Sequence, residues 1–277
     1  MTRISVGILL YQNSDQEVAH CLDALAHLEN DPFIEEVLIR DQGGDAGAAV
    51  KVWEKRNPNK LPIRLFTGEN VGFGAGHNAL FAQKSLQSSA YLCLNPDGVL
   101  HPFAISRLIQ MAEKHAWKGL FEASQEPCMP PKFFEPLTGE TEWCSAACLL
   151  IPDAVYKLIG GFDERFFMYC EDVDLSWRAR ALQLRCYVCL DALYYHYVEN
   201  RSSRNLLIWQ SRLHLAHKWG NWDYLNYVAV TLEGLLQTSA ESILRPLENY
   251  SVCSTKEISS VMPNFKIDGL FANQLWK

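Results

Sequence analysis

A regular alternation of strand-like and helix-like segments fills the first hundred residues and limits the fold more than any other feature of the sequence. Four apolar runs predict strands, at Ile4–Leu10, Val37–Arg40, Ile63–Phe66 and Tyr91–Leu94. Three stretches between them predict helices, at Gln16–Leu28, Ala46–Lys55 and Ala75–Leu86. This alternation is typical of an α/β protein whose parallel sheet carries helices on both faces. Ligands bind such sheets beyond the carboxyl ends of the strands, so we expect functional residues in the loops that follow the strands.

The rest of the chain is less regular. Prolines at positions 127, 130, 131 and 136 interrupt the middle and predict a loop that could cover a site. Strands are predicted at Cys148–Ile151 and Arg185–Leu190, with a short helix ending at Ile159 and another helix at Glu171–Ala181. From Asn205 the pattern becomes helical and aromatic. We therefore expect residues 1–203 to form one α/β domain and residues 204–277 to form a C-terminal helical extension.

Length and composition limit the class of protein. With 277 residues, 48% of them hydrophobic, the chain can bury a large core. Its net charge of -7 argues against nucleic acid as a partner. No segment has the roughly twenty uninterrupted apolar residues that span a bilayer, and the N-terminal run is better interpreted as a first strand than as a leader. The sequence thus predicts a soluble, cytoplasmic protein that touches the inner face of the plasma membrane at most peripherally.

Nine cysteines raise the question of disulfides or a zinc site. Their odd number, without a signal peptide, favours free thiols in a reducing compartment. The pairs Cys186 with Cys189 and Cys144 with Cys148 have short spacings of the kind found in zinc sites. Because successive residues of a strand face opposite sides, Cys186 and Cys189 would point apart, and packed thiols are the favoured interpretation.

Two groups of polar or small residues follow the second and third predicted strands. Asp41, in LIRDQGGD, would accept hydrogen bonds from a base or ribose, although a turn or helix-cap role explains it equally well. The segment NVGFGAGHN, Asn70–Asn78, leads into a helix. Its glycines would let the backbone approach a ligand, and the helix N-terminus favours phosphate. A tight structural turn explains this segment about as well.

An acidic residue follows the fourth strand. Asp97, in LNPD, is placed to hold a hard cation through carboxylate oxygens. A cation there would stabilise a departing diphosphate. An ordinary Pro-Asp-Gly turn is the competing explanation. His196, which follows the last predicted strand, is either a satisfied core histidine or a ligand.

The segment GGFDERFFMYCEDVDLSWRAR, Gly160–Arg180, is the most informative. Its aromatic residues lead into three carboxylates, Glu171, Asp172 and Asp174. Acidic residues are common in the first turn of any helix, and Asp174 has Arg178 four residues on as an ion-pair partner. Burial and like charge nevertheless raise the pKa of a carboxyl group, which would suit a general base for a sugar hydroxyl.

Taken in order, these motifs resemble those of glycosyltransferase family 2 on a GT-A fold, from Ile4 to about Ser203. The features are the first strand, an Asp after the second strand, N-x-G-F-G, N-P-D in place of D-x-D, W-C, the segment around Glu171 and a late histidine. Within the family, the chain looks most like bacterial rhamnosyltransferases of O-antigen and capsule assembly. The resemblance implies a Rossmann-like, mostly parallel central sheet flanked by helices.

The resemblance also implies roles for individual residues. The nucleotide-sugar donor would be bound by residues in the loops after the first four strands: Tyr11, Asp41, Asn70, Gly72, Asn95 and Asp97. Asp97 and His196 would hold Mg²⁺ or Mn²⁺ against the diphosphate. Asp172 would be the base that deprotonates the acceptor hydroxyl for a single displacement with inversion. Trp143 and Glu171 would line the acceptor side.

The expected donor is dTDP-rhamnose, and the expected acceptor is a glycan linked to polyprenyl diphosphate. A UDP-hexose donor is one alternative, and a non-catalytic sugar-nucleotide-binding subunit is another. Two departures from the family pattern matter. Asn95 replaces an Asp, which removes one anionic metal ligand. Ser145-Ala146-Ala147 stands where relatives carry a Gly next to Ala, and the added methyl group would narrow the acceptor pocket.

The C-terminal extension interleaves basic with aromatic residues: Arg201, Arg204, Arg212 and Lys218 with Trp209, Trp219, Trp222 and Tyr224. Helices that pack on the sheet are the favoured explanation of this pattern. A helix at a membrane surface is the alternative.

Overall fold

The chain, in a computed structural model that describes residues 2–26, 31–127, 129–130, 132–196, 204–265 and 271, folds around one sheet. The strands are β1 (Ile4–Leu10), β2 (Ile34–Asp41), β3 (Ile63–Thr67), β4 (Ala90–Leu94), β5 (Gly98–Leu100), β6 (Gly119–Glu126), β7 (Glu140–Thr141), β8 (Cys148–Pro152) and β9 (Arg185–His196). The first helices are α1 (Asp15–Leu25), α2 (Ala46–Arg56), α3 (Phe73–Ala82), α4 (Ala104–Lys114) and α5 (Asp153–Ile159). The later ones are α6 (Glu171–Ala181), α7 (Asn205–Lys218), α8 (Trp222–Leu236), α9 (Ala240–Leu244) and α10 (Thr255–Val261).

The sheet has the strand order β3–β2–β1–β4–β8–β6–β9–β5, with β7 paired to β9. Strands β3, β2, β1 and β4 run parallel, which confirms the α/β alternation predicted for the first hundred residues. Beyond β4 the sheet is mixed. Strand β8 runs antiparallel to β4 and β6, whereas β6 and β9 are parallel. The parallel character is therefore concentrated where each strand and helix form a local unit.

Apolar side chains are buried on both faces of the sheet. Strand β1 is apolar throughout because it faces two cores: Ile4, Val6, Ile8 and Leu10 belong to one cluster and Leu9 to the other. Helices α1, α2 and α4 cover the first face, and helices α3, α5 and α6 cover the second. The predicted helical layers on both faces are thus present.

The cysteines within the described ranges are free thiols. Cys186 and Cys189 belong to core clusters on opposite faces of the sheet, and Cys144 and Cys148 are separated in the same way. The two thiols of either pair therefore cannot chelate one ion. Cys128 lies outside the described residues.

Helix α6 lies between the sheet and the C-terminal helices. Its Leu175 and Ala179 pack in the core cluster of the second face. Its Val173 and Trp177 belong to a third cluster, together with apolar residues of α7 and α8. One helix is therefore buried from two sides, which explains why its sequence has no single apolar stripe.

Ion pairs join α6 to the C-terminal helices. The carboxylate of Asp174 accepts from Arg178 (2.8 Å), as the four-residue spacing predicted, and also from Lys218 (2.7 Å) and Trp219 (3.0 Å). Lys218 further contacts Asp163 (2.6 Å). Asp174 therefore has a structural role at this junction.

The basic and aromatic residues that the structure describes in the C-terminal extension are divided between the interior and the surface. Three of them are buried: Lys218, Trp219 and Tyr224. Trp222 is exposed, and the Arg212 guanidinium lies 4.8 Å from the centroid of the Trp209 ring. Packing of helices therefore explains the three buried residues without a membrane surface. Arg201 and the predicted boundary at residue 203 lie outside the described residues.

No helix within the described ranges is both long and apolar enough to cross a membrane.

Several elements differ from the prediction. The sequence pattern did not predict four elements in the middle of the chain: β5, α4, β6 and β7. Helix α1 begins at Asp15 because the Ser14 side chain caps it and Glu17 completes a capping box; the predicted end at Leu28 lies outside the described residues. Helix α3 begins two residues early, at Phe73, and ends at Ala82. Strand β9 continues to His196 because its last residues pair with β5.

The turn before α3 lies against the segment before α6. Gly72 has a φ of 89°, and a Cβ atom at this position would lie 2.2 Å from the carbonyl oxygen of Phe167. The backbone amide of Phe73 donates to the same carbonyl oxygen (2.8 Å). The close contact between two protein segments thus requires a glycine here, whether or not a ligand also approaches it.

The substitution Gly72→Ala tests this contact. We expect it to lower the free energy of unfolding by roughly 2–5 kcal/mol, because left-handed backbone costs ~1–2 kcal/mol and overpacking ~1–3 kcal/mol. Gly43→Ala is the matched control, since Gly43 has a φ of 98° but no atom within 4 Å of the added methyl group. Urea unfolding of both variants gives the comparison. Equal losses would show that the contact with Phe167 adds nothing.

Candidate active site

The carboxyl ends of the first three strands meet at one edge of the sheet. Leu10 lies beside Asp41 in the β1–β2 register, and Asp41 lies beside Thr67 in the β2–β3 register. Tyr11, which is exposed, follows the first of these strands, and Asn70 follows the third. The structure thus brings three of the predicted donor-binding residues to a common edge.

The Asp41 carboxylate has one oxygen in use and one without a partner. Its Oδ2 accepts from the backbone amide of Gly47 in the first turn of α2 (2.9 Å). Its Oδ1 is buried and has no hydrogen-bond partner among the described residues. The helix-cap interpretation accounts for the first oxygen, and the second is available to accept from a ligand.

The NVG turn is held from two directions. The Asn70 side chain accepts from the Gly72 amide (3.0 Å), which fixes the turn locally. Buried Gln42 donates to the Gly72 carbonyl oxygen (3.2 Å) and accepts from the Val71 amide (3.4 Å). Gln42 was not predicted as part of the site; its position directly after Asp41 is the signal that could have identified it.

Asp97 and His196 lie together, as the resemblance implied. The distance from Asp97 Oδ1 to His196 Nε2 is 3.1 Å. Strand β5 brings them together because it pairs antiparallel with the end of β9, with Gly98 opposite His196. His196 was expected after a strand ending at Leu190 and before a polar loop; the strand β9 continues further, and His196 is its buried last residue.

Tyr194 fixes the turn that carries Asp97. Its hydroxyl donates to the Asn95 carbonyl oxygen (2.9 Å). Its ring occupies the space where a Cβ atom on Gly98 would lie, 2.4 Å away. The NPDG turn therefore has a rigid position relative to β9.

The chemistry of Asp97 and His196 fits a divalent cation. A carboxylate oxygen and an imidazole nitrogen are both accepted by Mn²⁺, and Mg²⁺ is commonly held by one or two protein ligands together with water and substrate phosphates. In the described part of the chain, no group of three His, Cys, Asp or Glu side chains surrounds a common point. The pair thus suits a cation whose remaining ligands are water and a diphosphate, which agrees with Asn95 in place of an Asp.

The segment Trp143–Ala147 connects the NPDG turn to the first turn of α6. The Asn95 amide donates to the Ala147 carbonyl oxygen (2.8 Å). The Ala146 amide donates to Asp172 Oδ2 (3.3 Å). The candidate base and the candidate metal-binding turn therefore lie on the same edge of the sheet, where β4 ends and β8 begins.

The backbone is strained just before the two candidate carboxylates. Tyr169 and Cys170 have φ values of 73° and 61°, a left-handed conformation that non-glycine residues rarely adopt. Glu171 follows and is buried, and its Oε2 has no hydrogen-bond partner in the parts of the chain described. Such strain is typical of functional sites, where surrounding structure maintains it.

The two adjacent carboxyl groups differ in how well the protein stabilises their charge. Burial raises the pKa of Asp172, which is packed closely although partly exposed, but the backbone amides of Val173 and Ala146 oppose this rise. Burial raises the pKa of Glu171 well above its usual range, and repulsion from Asp172 and Asp174 raises it further. Asp172 is therefore the better stabilised carboxylate of the pair.

Trp143 lies against a buried ion pair that the sequence did not predict. Lys132 Nζ lies 4.4 Å from the centroid of the Trp143 ring and donates to the Trp143 carbonyl oxygen (2.8 Å). Lys132 also pairs with Glu122 of β6, and both side chains are fully buried. Glu122 Oε2 accepts in turn from the Ser145 amide (2.8 Å). A polar residue at a buried position of β6 thus holds the segment that carries the predicted acceptor-side tryptophan.

Sequence comparison finds rhamnosyltransferases. No model of a known protein family matches the chain. The N-acetylglucosaminyl-diphospho-decaprenol L-rhamnosyltransferase of Mycobacterium tuberculosis is 28% identical, over 51% of this chain and 60% of that protein. Rhamnosyltransferase WbbL of Escherichia coli K12 is 33% identical, over 22% of this chain and 24% of its own length. The chain thus spans less than two thirds of the length of these relatives.

Structural comparison finds glycosyltransferases over nearly the whole chain. GalNAc-T7 with UDP, GalNAc and Mn²⁺ has a TM-score of 0.69 at 9% identity, covering 93% of this chain and 55% of that one. The mannosyltransferase PcManGT from Pyrobaculum calidifontis, in complex with GDP-Man and Mn²⁺, has a TM-score of 0.64 at 13% identity. That match covers 94% of this chain and 78% of PcManGT. At these identities the similarity establishes the fold.

The chain accordingly has a GT-A fold, and the resemblance to rhamnosyltransferase-like members of glycosyltransferase family 2 that its ordered motifs indicated is confirmed.

Proposed function

We propose that this chain is an inverting, metal-dependent glycosyltransferase that moves rhamnose from dTDP-rhamnose onto a hydroxyl of a glycan carried on polyprenyl diphosphate. The observation that supports the proposal is a pair of hydrogen bonds with the segment Trp143–Ala147, one from Asn95 and one to Asp172, which bring the turn that carries Asp97 and the first turn of α6 to one edge of the sheet. The Mycobacterium tuberculosis relative is named for rhamnose transfer and a diphospho-decaprenol acceptor, which supports these classes of sugar and acceptor.

Asp172 is the base in this proposal. The acceptor hydroxyl gives its proton to the Asp172 carboxylate while its oxygen bonds to the anomeric carbon of the donor. The bond between that carbon and the diphosphate oxygen breaks, and the electron pair leaves with the nucleotide diphosphate. Attack from the side opposite the leaving group inverts the anomeric carbon. Glu171, which precedes Asp172, and Trp143 line the acceptor side.

The donor lies along the ends of the first four strands. The free Oδ1 of Asp41 accepts from the nucleoside, and Tyr11 borders the same position. Asn70 and Gly72 shape the pocket, and Asn95 lies near the diphosphate. Mg²⁺ or Mn²⁺ bound by Asp97 and His196 would neutralise charge on the leaving diphosphate. Two of the similar solved structures contain Mn²⁺ with a nucleotide or nucleotide sugar, which supports this assignment.

We also propose that residues 1–203 form the catalytic domain and that residues 204–277 form a C-terminal extension. This extension touches the cytoplasmic face of the membrane that carries the acceptor. Helix α8 has exposed apolar residues on its outer side, among them Tyr227, Val230 and Leu235. The Trp209 ring, under Arg212, lies 6.0 Å from the ring of Tyr227. Apolar and aromatic side chains beside a cation suit an anionic membrane surface.

A panel of nucleotide sugars tests the donor. With Mn²⁺ and a polyprenyl-diphosphate glycan, we expect nucleotide diphosphate release from dTDP-rhamnose, and we expect EDTA to remove it. Release of nucleotide diphosphate from a UDP-hexose instead would mean that the donor is a UDP-hexose, while the proposed mechanism would stand. No release from any donor with any glycan would favour a non-catalytic subunit.

The variant Asp172→Asn tests the base. Transfer should fall by about 10²–10⁴-fold, the usual contribution of a general base, while donor affinity stays nearly unchanged because Asp172 contacts the acceptor. Initial rates and calorimetric titration with the nucleotide sugar measure the two quantities. Asp191→Asn, an exposed carboxylate on β9, is the matched control and should transfer at the wild-type rate. Equal turnover by Asp172→Asn would remove Asp172 from the mechanism.

The pH dependence of transfer follows from the raised pKa of Asp172. A base acts as its carboxylate, so the rate should fall as the pH drops through the folded-state pKa. Because burial raises that pKa, we expect the transfer rate to fall at a pH above ~3.9, which is the ordinary pKa of an Asp side chain. Profiles of kcat/KM against pH for the wild type and Glu171→Gln measure it. A fall that vanishes in Glu171→Gln would assign the titration to Glu171.

Sedimentation with vesicles tests membrane contact. The protein should bind vesicles rich in anionic lipid at low salt and bind less at high salt, because salt screens the basic residues. Val230→Asp should weaken binding without changing the melting temperature, since Val230 is 63% exposed. If the pure protein does not bind anionic vesicles at low salt, the membrane proposal is abandoned, and the packing of helices alone explains the residues of the extension.

A further inference from the structure

A chain of buried polar side chains continues from His196 into the sheet. His196 Nδ1 lies 2.9 Å from Gln125 Oε1, and Gln125 Nε2 lies 3.2 Å from Glu122 Oε1. Gln125 and Glu122 are 3% and 0% exposed. Water is therefore excluded from both, and their hydrogen bonds depend on each other.

The partners decide which way the Gln125 amide points. Its NH₂ group can only donate and its oxygen can only accept. Lys132 and the Ser145 amide both donate to Glu122 Oε2, and the Lys132 ammonium favours the ionised carboxylate, whose Oε1 accepts from Gln125. The Gln125 NH₂ group consequently faces Glu122, and the Gln125 oxygen faces His196.

This orientation assigns the proton of the imidazole ring. Nδ1 must carry a hydrogen in order to donate to the Gln125 oxygen. In the neutral ring, Nε2 is then the nitrogen with the free electron pair. Nε2 is also the nitrogen that lies 3.1 Å from Asp97 Oδ1. If Asp97 were the only partner of the ring, the hydrogen would be on Nε2, because Nε2 could then donate to the Asp97 carboxylate.

We propose that Gln125, oriented by Glu122, is the positioning residue that keeps Nδ1 of His196 protonated and Nε2 free to bind the cation shared with Asp97. The inference rests on the proposed function for the cation itself. A metal ligand must present an unprotonated nitrogen, and a hydrogen bond from the opposite ring nitrogen selects that state. Without Gln125, His196 would donate to Asp97 from Nε2, and the metal would have to displace that hydrogen in order to bind.

The variant Gln125→Met tests the proposal, because it keeps the length of the side chain and removes both hydrogen bonds. With dTDP present, we expect Mn²⁺ binding to weaken about 10–100-fold, the usual effect of removing such a partner. Gln125→Glu is the rescue variant: when protonated, it donates to Glu122 and still accepts from Nδ1. It should bind Mn²⁺ more tightly than Gln125→Met. Ser124→Ala, at a buried neighbour on β6, is the matched control and should bind as the wild type does.

Electron paramagnetic resonance of free Mn²⁺ gives these affinities. Nitrogen-15 NMR of the His196 ring, assigned by its loss in His196→Ala, gives the protonated nitrogen without metal or donor. We expect hydrogen on Nδ1 in the wild type and none on Nδ1 in Gln125→Met. An Nδ1 without hydrogen in the wild type, or unchanged Mn²⁺ affinity in Gln125→Met, would overturn the proposal. A wild type that binds no Mn²⁺ but keeps the predicted ring state would instead contradict the metal role in the proposed function and support the positioning by Gln125.

Discussion

The structure depends on the burial of one carboxylate, that of Glu122, in the middle of the sheet. An ionised group in a protein interior needs partners, and removing one of them leaves an uncompensated charge that costs about 3–5 kcal/mol. Three donors converge on Glu122: the Lys132 ammonium and the Ser145 amide from two other segments, and the Gln125 side chain from β6 itself. These segments must keep their relative positions in the folded protein. Each adjoins a residue of the candidate site, so the stability of the core also fixes the site.

Helix α6 imposes a second constraint. Its first turn carries Glu171, Asp172 and the buried Asp174, which binds Lys218 and Trp219 of the C-terminal part. The C-terminal helices therefore hold the helix that presents the candidate base. This gives the extension a structural role that is independent of any membrane contact. It also explains why a basic and aromatic segment packs inside the protein, because a buried carboxylate of α6 requires those partners.

The sequence predicts the first four strands and their helices well, because each apolar run and each helix forms a local unit. It fails at β6, where GLFEASQE places Glu122, Ser124 and Gln125 in buried positions. Pattern analysis treats polar residues as exposed, and only pairing with β8 and β9, distant in sequence, buries them. A register shift between Ala123 and Ser124 accompanies the contact of Glu122 with Gln125, which regular alternation would prevent. The sequence motifs thus identify the side chains expected to contact substrate, whereas the residues that position those side chains are found only in the structure.

Carboxylate oxygens at the ends of the strands bear on whether the motif residues have structural or functional roles. A carboxylate that only capped a helix would have no reason to bury its second oxygen without a partner, because that costs about 1–3 kcal/mol. Asp41 and Glu171 both have such an oxygen among the described residues. Strained backbone at Tyr169 and Cys170 adds a further cost at the same edge of the sheet. A polar ligand that supplied the missing hydrogen bonds would offset these costs at the ends of the strands.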